Sequence, residues 1–399
     1  MAETSLLRFE VATDALRKVL DHLVNLVEVR STIRVNSHVL LDCQDGNLTL
    51  TATDTLMTAS ESLPASTSAQ GRATLPASLF LSIVSRLKGG SQVTLYESEP
   101  QKLVLECGRA RFELSGDDPE LFSPLEKETT AHSFKVPAHE LLALIQAVSF
   151  AISKEDTRPY LCGLFMEICK SDDDKQTLLR VVGTDGHRMA VADKVVEGVS
   201  DDMPSMIIPL KSIQILKNML ADIKGDVAIA FSESQVTVSF EQGFIRSRLI
   251  AAEFPNYRKV IPPQDNSVAM IVDAEEFKMV IQRVAAVCLD PGKANVVCTI
   301  GQTLSITAQD NLSGGRAQEE IDVDWQGDKD LEKGYNAGYL THICDAGLGG
   351  KLRFMYAPDI QATLIVPQPA EAKKDEQEDG ESPPPASVNA FYVLMPTRV

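Results

Sequence analysis

The sequence predicts an α+β fold made of three tandem repeats, each with two helices laid against antiparallel sheets. Three observations predict it. A strand-like run ending in an aspartate turn recurs at a period of about 130 residues. It reads Leu48-Thr49-Leu50-Thr51-Ala52-Thr53-Asp54, then Leu179-Arg180-Val181-Val182-Gly183-Thr184-Asp185, then Leu304-Ser305-Ile306-Thr307-Ala308-Gln309-Asp310. A β run leading into a helix start recurs in the same order, as Phe9-Glu10-Val11-Ala12-Thr13-Asp14, Phe134-Lys135-Val136-Pro137-Ala138-His139 and Met270-Ile271-Val272-Asp273-Ala274-Glu275. The remaining strands alternate, as in Lys102-Leu103-Val104-Leu105-Glu106-Cys107 and Gln235-Val236-Thr237-Val238-Ser239-Phe240. Gly, Asp and Asn stand at their turns, as antiparallel hairpins require.

Taken in order, each unit divides again. After the first marker, apolar residues follow at helical spacing (Leu16, Val19, Leu20, Leu23, and later Leu141, Leu144, Ile145). Leu75-Pro76-Ala77-Ser78-Leu79-Phe80 resembles Val136-Pro137-Ala138-His139-Glu140-Leu141, with Pro at the helix start in both. Ile208-Pro209-Leu210-Lys211 and Tyr335-Asn336-Ala337-Gly338 are their counterparts. Each repeat therefore holds two strand–helix–strands halves. The expected domains are 1–130, 131–262 and 263–399. A charged, Pro-rich insert at about 368–387 has no apolar anchors and is expected to be disordered.

At 399 residues, a prior of roughly 150 residues per domain gives two to three domains, and 44% hydrophobic content is ample for their cores. The net charge of −18 argues against tight nucleic-acid binding through a basic surface. The opening Met1-Ala2-Glu3-Thr4-Ser5 has neither a basic leader nor an apolar run, so no secretory signal and a cytoplasmic location are expected. Seven scattered cysteines, with no CxxC pair, read as buried free thiols. Neither they nor the six histidines have metal-ligand spacing, so no metal and no cofactor are expected.

Gly183-Thr184-Asp185-Gly186-His187-Arg188 bends between two apolar runs and places polar side chains where they can face a groove. Together with Phe254-Pro255-Asn256-Tyr257-Arg258-Lys259-Val260-Ile261-Pro262 and the terminal Val393-Leu394-Met395-Pro396-Thr397-Arg398, it resembles the bacterial DNA sliding clamps, the β subunits of DNA polymerase III holoenzyme. The resemblance spans the chain except its first residues and the acidic insert. It implies a non-catalytic processivity factor with the DNA-clamp fold: a homodimeric ring, sheets outside and helices lining the hole, encircling duplex DNA without sequence preference. It also implies tethering of polymerase, clamp loader and repair proteins through short linear motifs.

Matched position by position, the resemblance places Leu161, Thr184, Gly186, His187, Arg188, Met189, Pro255, Val260, Ala362, Val393, Leu394, Met395, Pro396 and Arg398 in a peptide-binding groove. Met189, Ala362 and Thr397 depart from residues commoner in the family. Arg30, Lys154, Arg158, Tyr160, Lys211 and Lys293 fall where DNA-facing residues are expected. Arg109, Arg111 and Phe112 would meet Val287, Cys288, Glu319 and Glu320 of a second subunit. Two rivals use the same residues: a hydrolase acting through Asp185 and His187, and a clamp-like peptide-binding scaffold that never meets DNA. Gly347-Leu348-Gly349-Gly350-Lys351-Leu352 only mimics a phosphate loop, since Leu352 stands where Ser or Thr is required.

Overall fold

The computed structural model describes residues 7–28, 34–130, 132–171, 174–200, 203–263, 267–310, 312–347, 350–358, 360–368 and 388–398. Arg30 lies outside them, as does the expected acidic insert apart from Gln368, which ends a strand.

Six halves follow one another, each a strand, a helix and three further strands. The first is Arg8–Ala12, α1 (Thr13–Leu23), His38–Gln44, Asn47–Thr53 and Met57–Pro64. The second is Gly71–Pro76, α2 (Ala77–Val84), Gln92–Glu99, Lys102–Cys107 and Ala110–Ser115. The third is His132–Pro137, α3 (Ala138–Val148), Gly163–Lys170, Thr177–Thr184 and Arg188–Val195. The fourth is Met206–Pro209, α4 (Leu210–Leu220), Asp226–Phe231, Gln235–Phe240 and Gly243–Arg248. The fifth is Val268–Asp273, α5 (Ala274–Ala285), Asn295–Ile300, Thr303–Gln309 and Arg316–Asp322. The sixth is Leu331–Asn336, α6 (Ala337–Ala346), Lys351–Tyr356, Thr363–Gln368 and Asn389–Leu394. Short strands Ser66–Ala69 and Asp324–Trp325 follow the first and fifth halves. The α+β repeat read from sequence is the fold observed.

The helices form where the sequence supplies both a stripe and a stop. α1 buries Leu16, Val19, Leu20 and Leu23 on one face, worth about 1.5–3 kcal/mol for each large apolar side chain. α5 starts at Asp273, whose carboxylate accepts from the N–H groups of Glu275 and Glu276. α6 starts at Asn336, whose side-chain oxygen accepts from Tyr339 N. Each side chain satisfies amide groups that the first helical turn leaves without partners.

The described chain divides into two compact units, Met1–Leu141 with Ile208–Ile250, and Leu142–Ile207 with Ala251–Val399. In the first unit, closing strand Met57–Pro64 of half one pairs antiparallel with closing strand Gly243–Arg248 of half four, in register Glu61↔Gly243 to Met57↔Ser247. In the second unit, closing strand Arg188–Val195 of half three pairs with Asn389–Leu394 of half six, in register Arg188↔Leu394 to Asp193↔Asn389. The closing strands of halves two and five end their sheets instead: Ala110–Ser115 beyond Lys102–Cys107, and Arg316–Asp322 beyond Thr303–Gln309.

All seven cysteines are free, but only Cys43, Cys298 and Cys344 are buried, a correction to the uniform burial expected. Burial pushes the thiols of Cys298 and Cys344 up to about 12, which keeps both protonated and inert.

Candidate functional site

The recurring aspartate builds its own turn. Asp54 Oδ1 accepts from the N–H groups of Leu56 (3.1 Å) and Met57 (2.8 Å). Asp185 Oδ1 accepts in the same way from His187 (2.9 Å) and Arg188 (3.0 Å). The preceding threonine repeats too: Thr53 Oγ1 donates to Met57 O and Thr184 Oγ1 to Arg188 O. The third copy is wider, with Asp310 N bonded to Gly315 O and the carboxylate accepting from Leu289 N and Leu312 N. The sequence marker is thus a side chain doing backbone work.

What differs among the three turns is the second carboxylate oxygen. Asp54 Oδ2 takes Lys211 Nζ at 2.5 Å, and the same ammonium donates to Leu26 O. Asp185 Oδ2 takes Arg188 Nε at 3.0 Å. The Asp185 carboxylate thus serves the turn's amides and the Arg188 guanidinium, a structural use of the group, and His187 meets it through its backbone N–H.

All the predicted groove residues lie in the second compact unit. Gly186 turns at φ +89, and a Cβ there would lie 2.9 Å from Arg158 Nη1. His187 is exposed, and its carbonyl accepts from Met395 N at 2.9 Å, tying the terminal segment to the turn. Leu161, Met189, Ala362, Val393 and Leu394 are buried. Val260 (57% exposed) and Met395 (43%) are large apolar side chains open to solvent, with Pro255 and Arg398 also exposed. The predicted set thus holds buried apolar side chains, exposed apolar side chains and exposed polar groups together.

Sequence reasoning missed the surroundings of Arg188. Its guanidinium carbon lies over two rings, 5.2 Å from the centroid of Phe150 and 4.3 Å from that of Tyr339. Nη2 donates to Phe150 O at 2.7 Å, and Nη1 to His342 Nδ1 at 2.8 Å. Burial, with Asp185 opposing it, holds the Arg188 guanidinium below the usual arginine range. The available signal was the i, i+3 pair Tyr339 and His342 on α6, which shares one helix face.

The expected DNA-facing cations are mostly paired within the chain. Arg158 Nη2 meets Glu155 at 2.5 Å, Lys293 meets Asp290 at 3.0 Å, and Lys211 meets Asp54. Lys154 is exposed and Tyr160 half-buried. Of the expected subunit-contact residues, Arg111 already holds Glu106 (2.6 Å) and Glu319 holds Arg283 (2.6 Å). Val287, Cys288 and Phe112 are half-buried, while Arg109 and Glu320 are exposed. Among the described residues no cluster of His, Cys, Asp or Glu could hold a metal, and no helix is long and apolar enough to cross a membrane.

Three family models match in succession: the DNA polymerase III beta subunit N-terminal domain over residues 7–126, its central domain over 135–256 and its C-terminal domain over 258–376. The chain belongs to the bacterial beta sliding clamp family. The Caulobacter vibrioides beta sliding clamp is 30% identical over 398 residues, covering 98% of this chain and 100% of that one. The Escherichia coli beta sliding clamp is 27% identical over 397 residues, again covering 98% and 100%. A crystal structure of a sliding clamp from Bartonella birtlesii, bound to griselimycin, matches with TM-score 0.86 and 30% identity over 99% of this chain and 100% of that chain. Members of the beta sliding clamp family are non-catalytic processivity factors of DNA replication.

Proposed function

We propose that two copies of this chain close head to tail into a ring around duplex DNA, and that the groove around His187 and Met395 tethers polymerases and other replication partners. One observation carries the ring. Closing strands of halves one and four are joined, and so are those of halves three and six. By the same rule the strand of half two seeks that of half five, yet each stands at a sheet edge. A second copy offers each edge its missing partner, and two such contacts close the assembly. Left open, such edges invite aggregation.

The chemistry of the two edges fits this reading. Arg109 and Arg111 flank one, and Glu319 and Glu320 lie on the other, giving opposite charge to two different surfaces. Arg109 and Glu320 are the better candidates to pair across the contact, because Arg111 and Glu319 already have partners in the chain. Half two closes domain one (1–130) and half five opens domain three (263–399), so the contact runs between first and third domains.

A ring also accounts for the charge. Each neutralised phosphate adds about 0.9 to the log–log salt slope, so tight binding by contacts alone calls for a strongly basic protein. This chain carries −18. Enclosure needs only weak local contacts, for which exposed Lys154 and ring-bearing Tyr160 remain available. Lys211, Lys293 and Arg158, paired as they are, would add little grip, which suits sliding.

The groove takes one or two Leu or Phe anchors at about 1.5–3 kcal/mol each, less the cost of ordering the peptide. The resulting affinity is near micromolar, about −8 kcal/mol, weak enough for partners to exchange. Griselimycin bound to the Bartonella relative is consistent with ligand capture by this fold. Such work belongs in the cytoplasm, beside the chromosome. Native mass spectrometry at micromolar concentration tests the ring: the expected species is twice 43.5 kDa, and a lone monomer contradicts it.

A further inference from the structure

His342 stands outside every residue assigned to the groove so far, yet it faces the groove's buried arginine. Its Nδ1 lies 2.8 Å from Arg188 Nη1. A guanidinium has only donors, so Nδ1 must be the bare nitrogen of a neutral imidazole with its proton on Nε2. Geometry alone thus sets both the charge and the tautomer. The surroundings agree: burial first, then the nearby Arg188 and Lys154 charges, outweigh Asp345 and hold the imidazole below its ordinary value.

The bond closes a frame around Arg188. Asp185 takes Nε, the Phe150 carbonyl takes Nη2, His342 takes Nη1, and the rings of Phe150 and Tyr339 lie near the guanidinium. The Arg188 backbone meanwhile pairs with Leu394, beside the exposed Met395. The frame therefore joins the Thr184–Met189 turn to α6 of the sixth half. We propose that His342 is a positioning residue for the peptide groove, its Nδ1 acceptor fixing the Arg188 guanidinium so that turn and terminal segment present one preformed site.

This role rests on the groove reading, and the test separates the two. The probe is a synthetic peptide with a Leu-Phe pair, blocked termini and no ionisable side chain, titrated into the full-length protein at about pH 7.5. His342→Leu keeps the bulk and removes the acceptor, and is expected to weaken the peptide by about fivefold to tenfold. His342→Asn returns an acceptor near the Nδ1 position and is expected to restore binding to within about twofold of wild type. Nitrogen-15 NMR of the imidazole in the wild-type protein is expected to show a bare Nδ1 and a protonated Nε2. That spectrum needs no variant, so it decides even if His342→Leu unfolds.

Full binding by His342→Leu, no rescue by Asn, or a protonated Nδ1 would each overturn the role. If the wild type binds while all three proteins bind alike, only the role falls. If the wild type does not bind the peptide at all, the groove falls with it.

Discussion

His22 Nδ1 lies 2.8 Å from Glu61 Oε1, and the opposite ring nitrogen, Nε2, lies 3.1 Å from Asp222 Oδ2. Two carboxylates facing both nitrogens favour an imidazolium, the form of the ring that donates from both. Glu61 is on the closing strand of half one and Asp222 follows α4 of half four, so the histidine ties those two halves at their sheet junction. Burial by itself would lower the His22 pKa, but its hydrogen bonds to Glu61 and Asp222 outweigh that and raise it.

The sign of the pH dependence follows. A histidine whose folded value is raised contributes stability that is fully present below the ordinary value of about 6.5 and is lost as pH climbs through the folded value. Wild type should therefore exceed His22→Gln in stability near pH 6, and the gap should shrink toward pH 8.5, measured by urea melts across that range. A gap independent of pH would contradict the imidazolium. His22→Leu strands Glu61, which is 8% exposed, and should cost about 1–3 kcal/mol.

The terminal segment divides into support and contact. Met395→Ala should weaken a Leu/Phe peptide severalfold while leaving melting temperature and dimer unchanged, because the side chain is 43% exposed. Leu394→Ala removes a side chain with 0% exposure and should cost about 2–5 kcal/mol of stability. Calorimetric titration against thermal melts separates the two. Unchanged peptide affinity in Met395→Ala would refute the groove assignment.

Gly183 precedes the groove turn, and a Cβ there would sit 2.6 Å from Val148 O. Gly183→Ala should therefore destabilise by about 1–3 kcal/mol through forced backbone movement. The check is a denaturant midpoint, and an unaltered midpoint would show that the strand has room to yield.

Phe112 tests the open edge. Its substitution by Asp places charge on the strand expected to pair with Arg316–Asp322 of a second copy, and should convert the dimer to monomer without loss of helix signal. A dimer that survives Phe112→Asp at low micromolar concentration would move the contact elsewhere.

The repeat was legible in sequence because Asp54 and Asp185 bond the backbone at identical offsets, which fixes residue type even where the strands around them diverge. Asp310 was legible for the same reason, although its turn is wider. The frame around Arg188 was not legible. Phe150 and the α6 pair Tyr339 and His342 come from segments far apart in the chain, and aromatic residues at helical spacing read as core. Local charge pairing was equally hidden: Lys211 reads as a free cation until the fold brings Asp54 to it, and Arg111 until the neighbouring strand supplies Glu106.

The most direct test of the ring is retention on nicked circular DNA after incubation with a clamp loader and ATP, followed by linearisation. Enclosure predicts that the protein stays on the circle at salt that strips ordinary contacts and leaves once the ends are free. Retention that is equal on circular and linear DNA, or lost on both, would contradict it.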